Sequence, residues 1–429
     1  AGAVVLRPGR PPAPVADTGP PLVETALPTP QPSTRGCRPG QAFPARTASV
    51  TRLDPSGRLV WSRALPVTED DQGQLQPLVA GDLALVLSGG RLHALDRVTG
   101  RDRWTAGAAG APYGLWLSGS TVVVLLDQVS DHARVVGFDA ATGERRWTHR
   151  TGGSGLLGEQ LPTGDGGLVL LRTDRVQVLD TGTGRLRWTA LGGGPFAAVT
   201  GDLLLQATGG RLVARALSDG RQAWQTGPLG SDVAVTVAEG VAVVTPTAVG
   251  PAVVPLQHAF DVATGAPAWT SPVPRTAAVV ASGQGVLLFA EESVGDASLW
   301  AVDARTGRAR WHVADAPVVQ PALVQGDVVV LAEGYGPQAR TARRSLAAGA
   351  LLGSTPLPYE RPTYALGRDA YLVQSAAGAT GAATVTVRTT ATGALRWTAR
   401  VRHAEAPPRV LAGGSVLLHG ASPHVGCPL

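Results

Sequence analysis

The chain has 429 residues, of which 44% are hydrophobic and 16% charged, so it can bury a large core and is not globally disordered. Gly contributes 55 residues and Pro 34, which favours an all-β chain rich in turns over a helical one. The net charge of +5 is mild for this length, and no apolar run reaches the roughly 18 residues that span a bilayer.

Four amino acids are missing from the sequence: Lys, Asn, Ile and Met. Their codons begin AA or AU, so we expect a gene from a high-GC bacterium, with a designed, reduced alphabet as the alternative. Because there is no Met, Ala1 is not a translation start. We therefore expect that a cleaved signal peptide or a membrane anchor preceded it.

Residues 1–45 are rich in proline, with the runs PPAP, GPP and PTPQP and few large apolar side chains. Such a segment cannot bury enough surface to offset its ordering entropy. We predict a linker or tail over residues 1–45 and a single domain over residues 46–429.

The domain repeats one motif, Asp-x-x-Thr-Gly-x-x-x-Trp, at intervals of 36 to 45 residues. Full copies run from Asp96 to Trp104, Asp139 to Trp147, Asp180 to Trp188, Asp261 to Trp269 and Asp303 to Trp311. Weaker copies end at Gly57/Trp61, Gly220/Trp224 and Gly393/Trp397, and an eroded copy, Ser345 to Gly353, has Gly in place of Trp.

Each unit has short aliphatic and β-branched runs bounded by Gly-Asp or Gly-Gly turns, which predicts four antiparallel strands. The motif Gly is expected to have a positive φ, and the Asp or Thr side chain to hydrogen-bond local amides. Units of this size repeated radially form a closed β-propeller. Two strands from each terminus would complete one composite blade and remove the exposed edges, which gives nine blades by repeat count.

The motif resembles the tryptophan-docking motif of the quinoprotein (PQQ-type) β-propellers, over residues 46 to about 420. In that family, which normally has eight blades, each Trp stacks on a peptide plane of the adjacent blade. The resemblance implies a non-catalytic member of the family, with a break at Gly353. It assigns docking to Trp61, Trp104, Trp147, Trp188, Trp224, Trp269, Trp311 and Trp397.

The two cysteines, Cys37 and Cys427, lie near opposite ends of the chain. If the ring brings the termini together, we expect one disulfide between them and hence an oxidising compartment. Two unrelated free thiols are the alternative.

The arginines also follow the motif. They occur directly after the Gly (Arg58, Arg101, Arg185, Arg221, Arg308) and directly before the Trp (Arg103, Arg146, Arg187, Arg310, Arg396). On an outer strand they discourage edge-to-edge association and can pair with the motif aspartates. The alternative is a basic belt that binds an envelope polyanion or an acidic protein.

We predict an extracytoplasmic scaffold, monomeric, that binds a protein or cell-envelope partner and has no catalytic residue, cofactor or metal site. Nucleic acid is excluded as a partner because the arginines are not clustered and most Trp is committed to docking. The alternative is a quinone- or metal-dependent oxidoreductase using the central channel. The absence of Asn and of an adjacent cysteine pair, which quinoprotein dehydrogenases use, opposes it.

Overall fold

A computed structural model provides the structure of the chain. It describes residues 23–24, 47–66, 77–127, 133–151, 161–172, 174–192, 197–229, 233–246, 256–274, 277–291, 297–314, 316, 318–334, 339–357, 363–366, 369–374, 382–402, 409–410 and 414–421. Within these ranges the regular structure is entirely β-strand. Accordingly, the described residues include no helix capable of crossing a membrane.

The strands form nine four-stranded antiparallel sheets, which we number as blades 1 to 9 and whose strands are given from the inside outwards. Blade 1 comprises Leu78–Ala80, Leu83–Ser88, Arg91–Asp96 and Asp102–Gly107; blade 2, Pro112–Ser118, Thr121–Leu126, Arg134–Asp139 and Arg145–Arg150; blade 3, Leu161–Pro162, Gly167–Leu171, Arg175–Asp180 and Leu186–Leu191. Blade 4 comprises Ala197–Thr200, Leu203–Thr208, Arg211–Ala216 and Gln222–Gln225; blade 5, Val233–Ala238, Val241–Pro246, Leu256–Asp261 and Pro267–Pro274; blade 6, Ala277–Gly283, Val286–Glu291, Ser298–Asp303 and Ala309–Ala314. Blade 7 comprises Val318–Gln325, Val328–Glu333, Arg340–Ser345 and Leu351–Pro356; blade 8, Thr363–Leu366, Ala370–Gln374, Ala382–Thr389 and Leu395–Arg402.

Blade 9 takes two strands from each end of the chain: Arg409–Val410 and Val416–Ala421, then Thr47–Leu53 and Leu59–Pro66. Val416–Ala421 pairs antiparallel with Thr47–Leu53, with Val50 opposite His419. The predicted closure by both termini is confirmed, and so is the repeat count of nine, one more than the family norm of eight.

One pairing falls within the predicted linker. Val23–Glu24 lies parallel to the outer strand of blade 8, with Val23 opposite Ala399. The proline content of the segment gave no sign of this contact.

The core of the molecule lies between the blades. Each pair of neighbouring blades shares one cluster of buried apolar side chains, so the described chain has nine such clusters. The second strands are buried on both sides; every residue of Leu83–Ser88 and of Thr121–Leu126 is buried. A strand covered on both faces needs a continuous apolar run rather than an alternating one, which is what these sequences provide.

The direction of the strands places equivalent turns on one face. Because the strands of a blade are antiparallel, the turn between the first and second strands and the motif turn between the third and fourth lie at the same end. We call this end the turn face. The first strands of neighbouring blades contact one another, as between blades 6 and 7, and surround the central axis.

The motif turn is held by its own side chains, as predicted. In blade 6, Asp303 Oδ1 accepts hydrogen bonds from the Thr306 amide and hydroxyl, both at 2.9 Å, and the Gly307 amide donates to the Asp303 carbonyl at 2.9 Å. Gly307 has a φ of 69°, and all nine motif glycines have a positive φ. The expected glycine conformation and aspartate cap are confirmed.

The cap makes stability depend on pH. The Arg310 guanidinium, followed by the Thr306 hydroxyl, lowers the pKa of the Asp303 carboxyl from 3.8 to about 2. Since the folded-state pKa is the lower one, this contribution is complete above about pH 4 and is lost as the pH falls towards about 2. We expect Asp303→Asn to lower the free energy of unfolding at neutral pH and to flatten its fall between these values, measured by urea titration. Asp202→Asn, at an exposed aspartate outside any cap, serves as the control; an unchanged acid slope in Asp303→Asn would contradict the assignment.

Candidate functional site

The eight in-register tryptophans all reach from an outer strand to the next blade. Each indole Nε1 donates to the backbone carbonyl that directly follows the first residue of the next motif, at 2.7 to 3.2 Å. The pairs are Trp61 with Arg97, Trp104 with Ala140, Trp147 with Thr181, Trp188 with Leu217, Trp224 with Val262, Trp269 with Ala304, Trp311 with Leu346, and Trp397 with Pro55. We propose that these contacts are the docking interactions that hold neighbouring blades together.

The motif glycine of the next blade is the surface on which each indole rests. A Cβ placed on Gly220 would lie 2.6 Å from Cδ2 of Trp188, and the seven equivalent glycines give 2.4 to 2.7 Å. The glycine is therefore required twice, for its positive φ and for the close approach of a neighbour's ring. The sequence analysis identified only the first requirement.

The remaining joint, between blades 7 and 8, has no tryptophan because Gly353 stands at its position. The side chain of Arg343, directly opposite Gly353 on the neighbouring strand, fills that place. Its Nη1 donates to the carbonyls of Thr390 at 3.2 Å and Ala391 at 2.6 Å, and its Nε would lie 2.5 Å from a Cβ on Gly393. Thr390 occupies the acceptor position used at the other eight joints. The expected break at Gly353 is thus occupied by a guanidinium that makes the same two contacts as an indole.

Three motif copies lack the capping aspartate and share another device. Blades 4, 7 and 8 have Ala216, Ser345 and Thr389 at that position, and each is preceded by an arginine. Nη1 of these arginines donates to the carbonyl of the motif glycine: Arg215 to Gly220 at 3.2 Å, Arg344 to Gly349 at 2.9 Å and Arg388 to Gly393 at 3.1 Å. In the six copies with aspartate, the preceding residue is Leu, Phe or Val. This correlation is visible in the sequence, but its meaning needs the hydrogen bond.

Blade 7 also moves the cap and neutralises its buried arginine. Asp327, from the turn between the first two strands, accepts from the Ala347 amide at 2.8 Å and the Ser345 hydroxyl at 3.0 Å. Glu333, 1% exposed, accepts from Arg344 Nε at 2.5 Å and Arg340 Nη2 at 2.9 Å. A buried charge requires such a partner. The copy that looks eroded in sequence therefore retains the mechanical parts of the motif, built from other residues.

The two groups of arginines behave differently. Those that precede the Trp form salt bridges: Arg103 with Asp82, Arg146 with Asp139, Arg187 with Asp165 and Asp180, Arg310 with Asp303, and Arg396 with Asp369. For this group the predicted pairing with acidic residues is confirmed. The five that follow the motif Gly are exposed and form no salt bridge with another described residue.

We call the nine residues that follow the motif glycines the turn ring. In blade order 9, 1, 2, 3, 4, 5, 6, 7 and 8 they are Arg58, Arg101, Glu144, Arg185, Arg221, Ala266, Arg308, Ala350 and Ala394. All nine are exposed, and each occupies the same position in its blade on the turn face. The ring is the most regular array of unpaired charge in the described part of the molecule.

The inner strands have a different character. The nine segments that form them contain neither Asp nor Glu, and Val, Ala and Leu dominate them. No group of three or more His, Cys, Asp or Glu in the described ranges is placed to hold a metal ion. His419 is buried in blade 9. Cys37 and Cys427 lie outside the described residues, so the disulfide stays a prediction.

The comparisons identify the family. The model of the family described as "Outer membrane protein assembly factor BamB" matches residues 46–190, 113–230, 172–270 and 216–379, which together span most of the chain. The chain belongs to this BamB-like family of PQQ-type repeats. No curated protein matches it.

Solved structures similar to this BamB-like chain share low sequence identity with it. BamB from Moraxella catarrhalis is 14% identical, with 83% of this chain and 98% of that chain covered and a TM-score of 0.47. A eukaryotic initiation factor is 11% identical, with 87% and 98% covered and a TM-score of 0.57. A europium-containing methanol dehydrogenase is 13% identical, with 70% and 82% covered and a TM-score of 0.45. At these identities the likeness concerns the fold alone.

The docking contact can be isolated in one blade of this BamB-like ring. Gly201 and Gly220, both in blade 4, have φ values of 56° and 74°, but only Gly220 lies beneath an indole. Gly201→Ala should cost about 1–2 kcal/mol of unfolding free energy for the positive φ alone. Gly220→Ala should cost about 1–3 kcal/mol more, because its methyl group clashes with Trp188. Equal losses in urea unfolding would show that the indole contact contributes nothing.

The joint between blades 7 and 8 allows a double-mutant cycle. Ala pairs with Trp across the strands in blades 1, 4, 5 and 6, whereas Arg343 pairs with Gly353 in blade 7. Arg343→Ala should cost about 2–3 kcal/mol by leaving buried carbonyls unsatisfied, and Gly353→Trp about 1–3 kcal/mol by overfilling the joint. Together the substitutions recreate the arrangement of the other blades, so we expect a favourable coupling of about 2 kcal/mol. Additive losses would contradict the exchange of roles.

Proposed function

We propose that this chain is an extracytoplasmic propeller scaffold that binds a protein or cell-envelope partner through its turn face, and that it is not an enzyme. The observation that carries the proposal is the contrast between the two arginine groups. The arginines before the Trp are consumed by salt bridges, whereas the arginines of the turn ring are exposed and available. Five unpaired guanidiniums on rigid turns constitute a surface that attracts and orients an oppositely charged partner.

Membership of a family described by a role in outer membrane protein assembly supports a protein partner and a location outside the cytoplasm. The predicted disulfide between Cys37 and Cys427 belongs to the same proposal, since it requires an oxidising compartment. Each motif turn is closed by an aspartate cap or by hydrogen bonds from other residues, which lowers the entropy lost when a partner binds. Residues 1–45 act in this scheme as the spacer that carries the ring at a distance from whatever precedes it.

The alternative is an oxidoreductase that uses the central channel with a quinone or a metal ion. Such a site needs acidic ligands for the cation that accompanies the quinone and general acid–base groups near the substrate. The segments of the inner strands contain no carboxylate. We therefore place the functional surface on the turn face rather than in the channel.

The experiment compares two triple variants of equal charge change. In one, Arg58, Arg101 and Arg185 of the turn ring become Ala; in the control, the salt-bridged Arg103, Arg310 and Arg396 become Ala. The immobilised wild type should retain a discrete envelope protein in a salt-sensitive manner. The turn-ring variant should lose this retention and the control should keep it, with folding checked by thermal unfolding of each.

Equal loss in both variants would contradict the proposal, because it would indicate non-specific attraction to positive charge. A second measurement addresses the channel. The protein incubated with pyrroloquinoline quinone and Ca²⁺ and then desalted should carry no visible absorbance. A stoichiometric bound chromophore would favour the oxidoreductase.

A further inference from the structure

The order of charges along the turn ring contains more information than its sum. Consecutive blades 9, 1, 2, 3 and 4 present Arg58, Arg101, Glu144, Arg185 and Arg221. These blades are neighbours in the ring, because Trp61, Trp104, Trp147 and Trp188 each dock on the next one. A single acidic position therefore lies at the centre of an arc with two arginines on either side. Blades 7 and 8, by contrast, present Ala350 and Ala394.

The carboxylate of Glu144 is not neutralised within the described structure. Arg146, two residues further along, is committed to Asp139, and Arg145 forms no salt bridge with Glu144. Glu144 is exposed, like the four arginines that flank it in the arc. The unpaired charges along the arc thus read positive, positive, negative, positive, positive.

We propose that this arc binds a protein segment of the complementary pattern, acidic at both ends and basic in the middle. Arginine binds carboxylate and phosphate equally well, so the arginines alone do not select between a protein and a polyanionic polymer. Glu144 does. A polymer of uniform negative charge must pass over Glu144 and is repelled there, whereas a protein can place a Lys or Arg opposite it.

The turns that carry the arc are held in fixed conformations. Blades 9, 1, 2 and 3 have the aspartate caps Asp54, Asp96, Asp139 and Asp180, and blade 4 has the hydrogen bond from Arg215 to Gly220. Charges on such turns keep a constant order and separation. A fixed order of charges is the requirement for recognising a pattern rather than a total charge.

The test uses two synthetic peptides of equal length, one entirely Glu and one in which the central third is Lys, with inorganic polyphosphate as a third probe. Fluorescence anisotropy at low ionic strength measures the affinity of the full chain for the labelled peptides, and competition measures polyphosphate. The wild type should prefer the mixed peptide by about two- to fivefold, the range expected for a few exposed ion pairs. Glu144→Arg should reverse the preference.

Ala350→Arg is the matched control, because it adds a positive charge to the same ring on the opposite side. It should leave the preference for the mixed peptide unchanged. Glu144 and Ala350 are both exposed, so neither substitution disturbs the core.

The inference deepens the proposed function and rests on it, yet the two can fail separately. Equal or tighter binding of the all-Glu peptide or of polyphosphate by the wild type would overturn the mixed-charge pattern and favour a polyanion. No binding to any probe, with the envelope protein still retained through the turn-ring arginines, would overturn the inference and leave the proposed function standing. Loss of that retention as well would overturn both.

Discussion

The structure depends on one contact repeated around a ring: a flat donor side chain from one blade lies on the motif glycine of the next and donates to the carbonyl beside it. The contact requires a glycine because a Cβ would lie under 3 Å from the ring atoms. It requires a tight, capped turn so that the carbonyl points at the donor. It also requires the donor to stand on the outer strand, which is why Trp follows the glycine at a constant interval. The long-range motif is the sequence form of this one geometry.

The irregular blades show that the contact is retained even when its usual residues are not. At the joint between blades 7 and 8 the planar guanidinium of Arg343 takes the place of an indole, while the small residue moves to the opposite strand as Gly353. Arg is suited to this exchange because it is planar, stacks well and donates in its plane. In blades 4, 7 and 8 an arginine supports the turn that an aspartate caps elsewhere. A ring of nine sheets fails if one joint fails, so each joint needs some solution.

The sequence predicts the repeated parts well and the singular parts poorly. The four-strand units, the composite ninth blade and the positive φ of the motif glycines all follow from periodicity, because every copy reports the same geometry. Arg343 could not be predicted, since no other blade uses that position for docking. Glu333 and Asp327 were missed for the same reason, because they act in one blade only. Pairing of the arginines before Trp was predictable from their strand position, whereas the freedom of the arginines after Gly depends on where every neighbouring acid is used.

Function follows from what the ring leaves over. The joints use the tryptophans, the caps use the motif aspartates, and the outer strands use one set of arginines. The turn ring is not used by the fold, and it is presented on turns that the fold has made rigid. A scaffold that binds through such a surface needs no chemistry in its channel, in keeping with the uncharged sequences of the inner strands.

The central claim, that eight indoles are hydrogen-bonded across the joints, can be measured directly by hydrogen exchange of the indole N–H groups in protein labelled with ¹⁵N-tryptophan. The account predicts that the indoles of Trp61, Trp104, Trp147, Trp188, Trp224, Trp269, Trp311 and Trp397 exchange as slowly as the amides of the buried second strands. It also predicts that Gly349→Ala accelerates exchange at Trp311 first. If several of these eight indoles exchange at the rate of free tryptophan in the native protein, the blades are not held together in the way described.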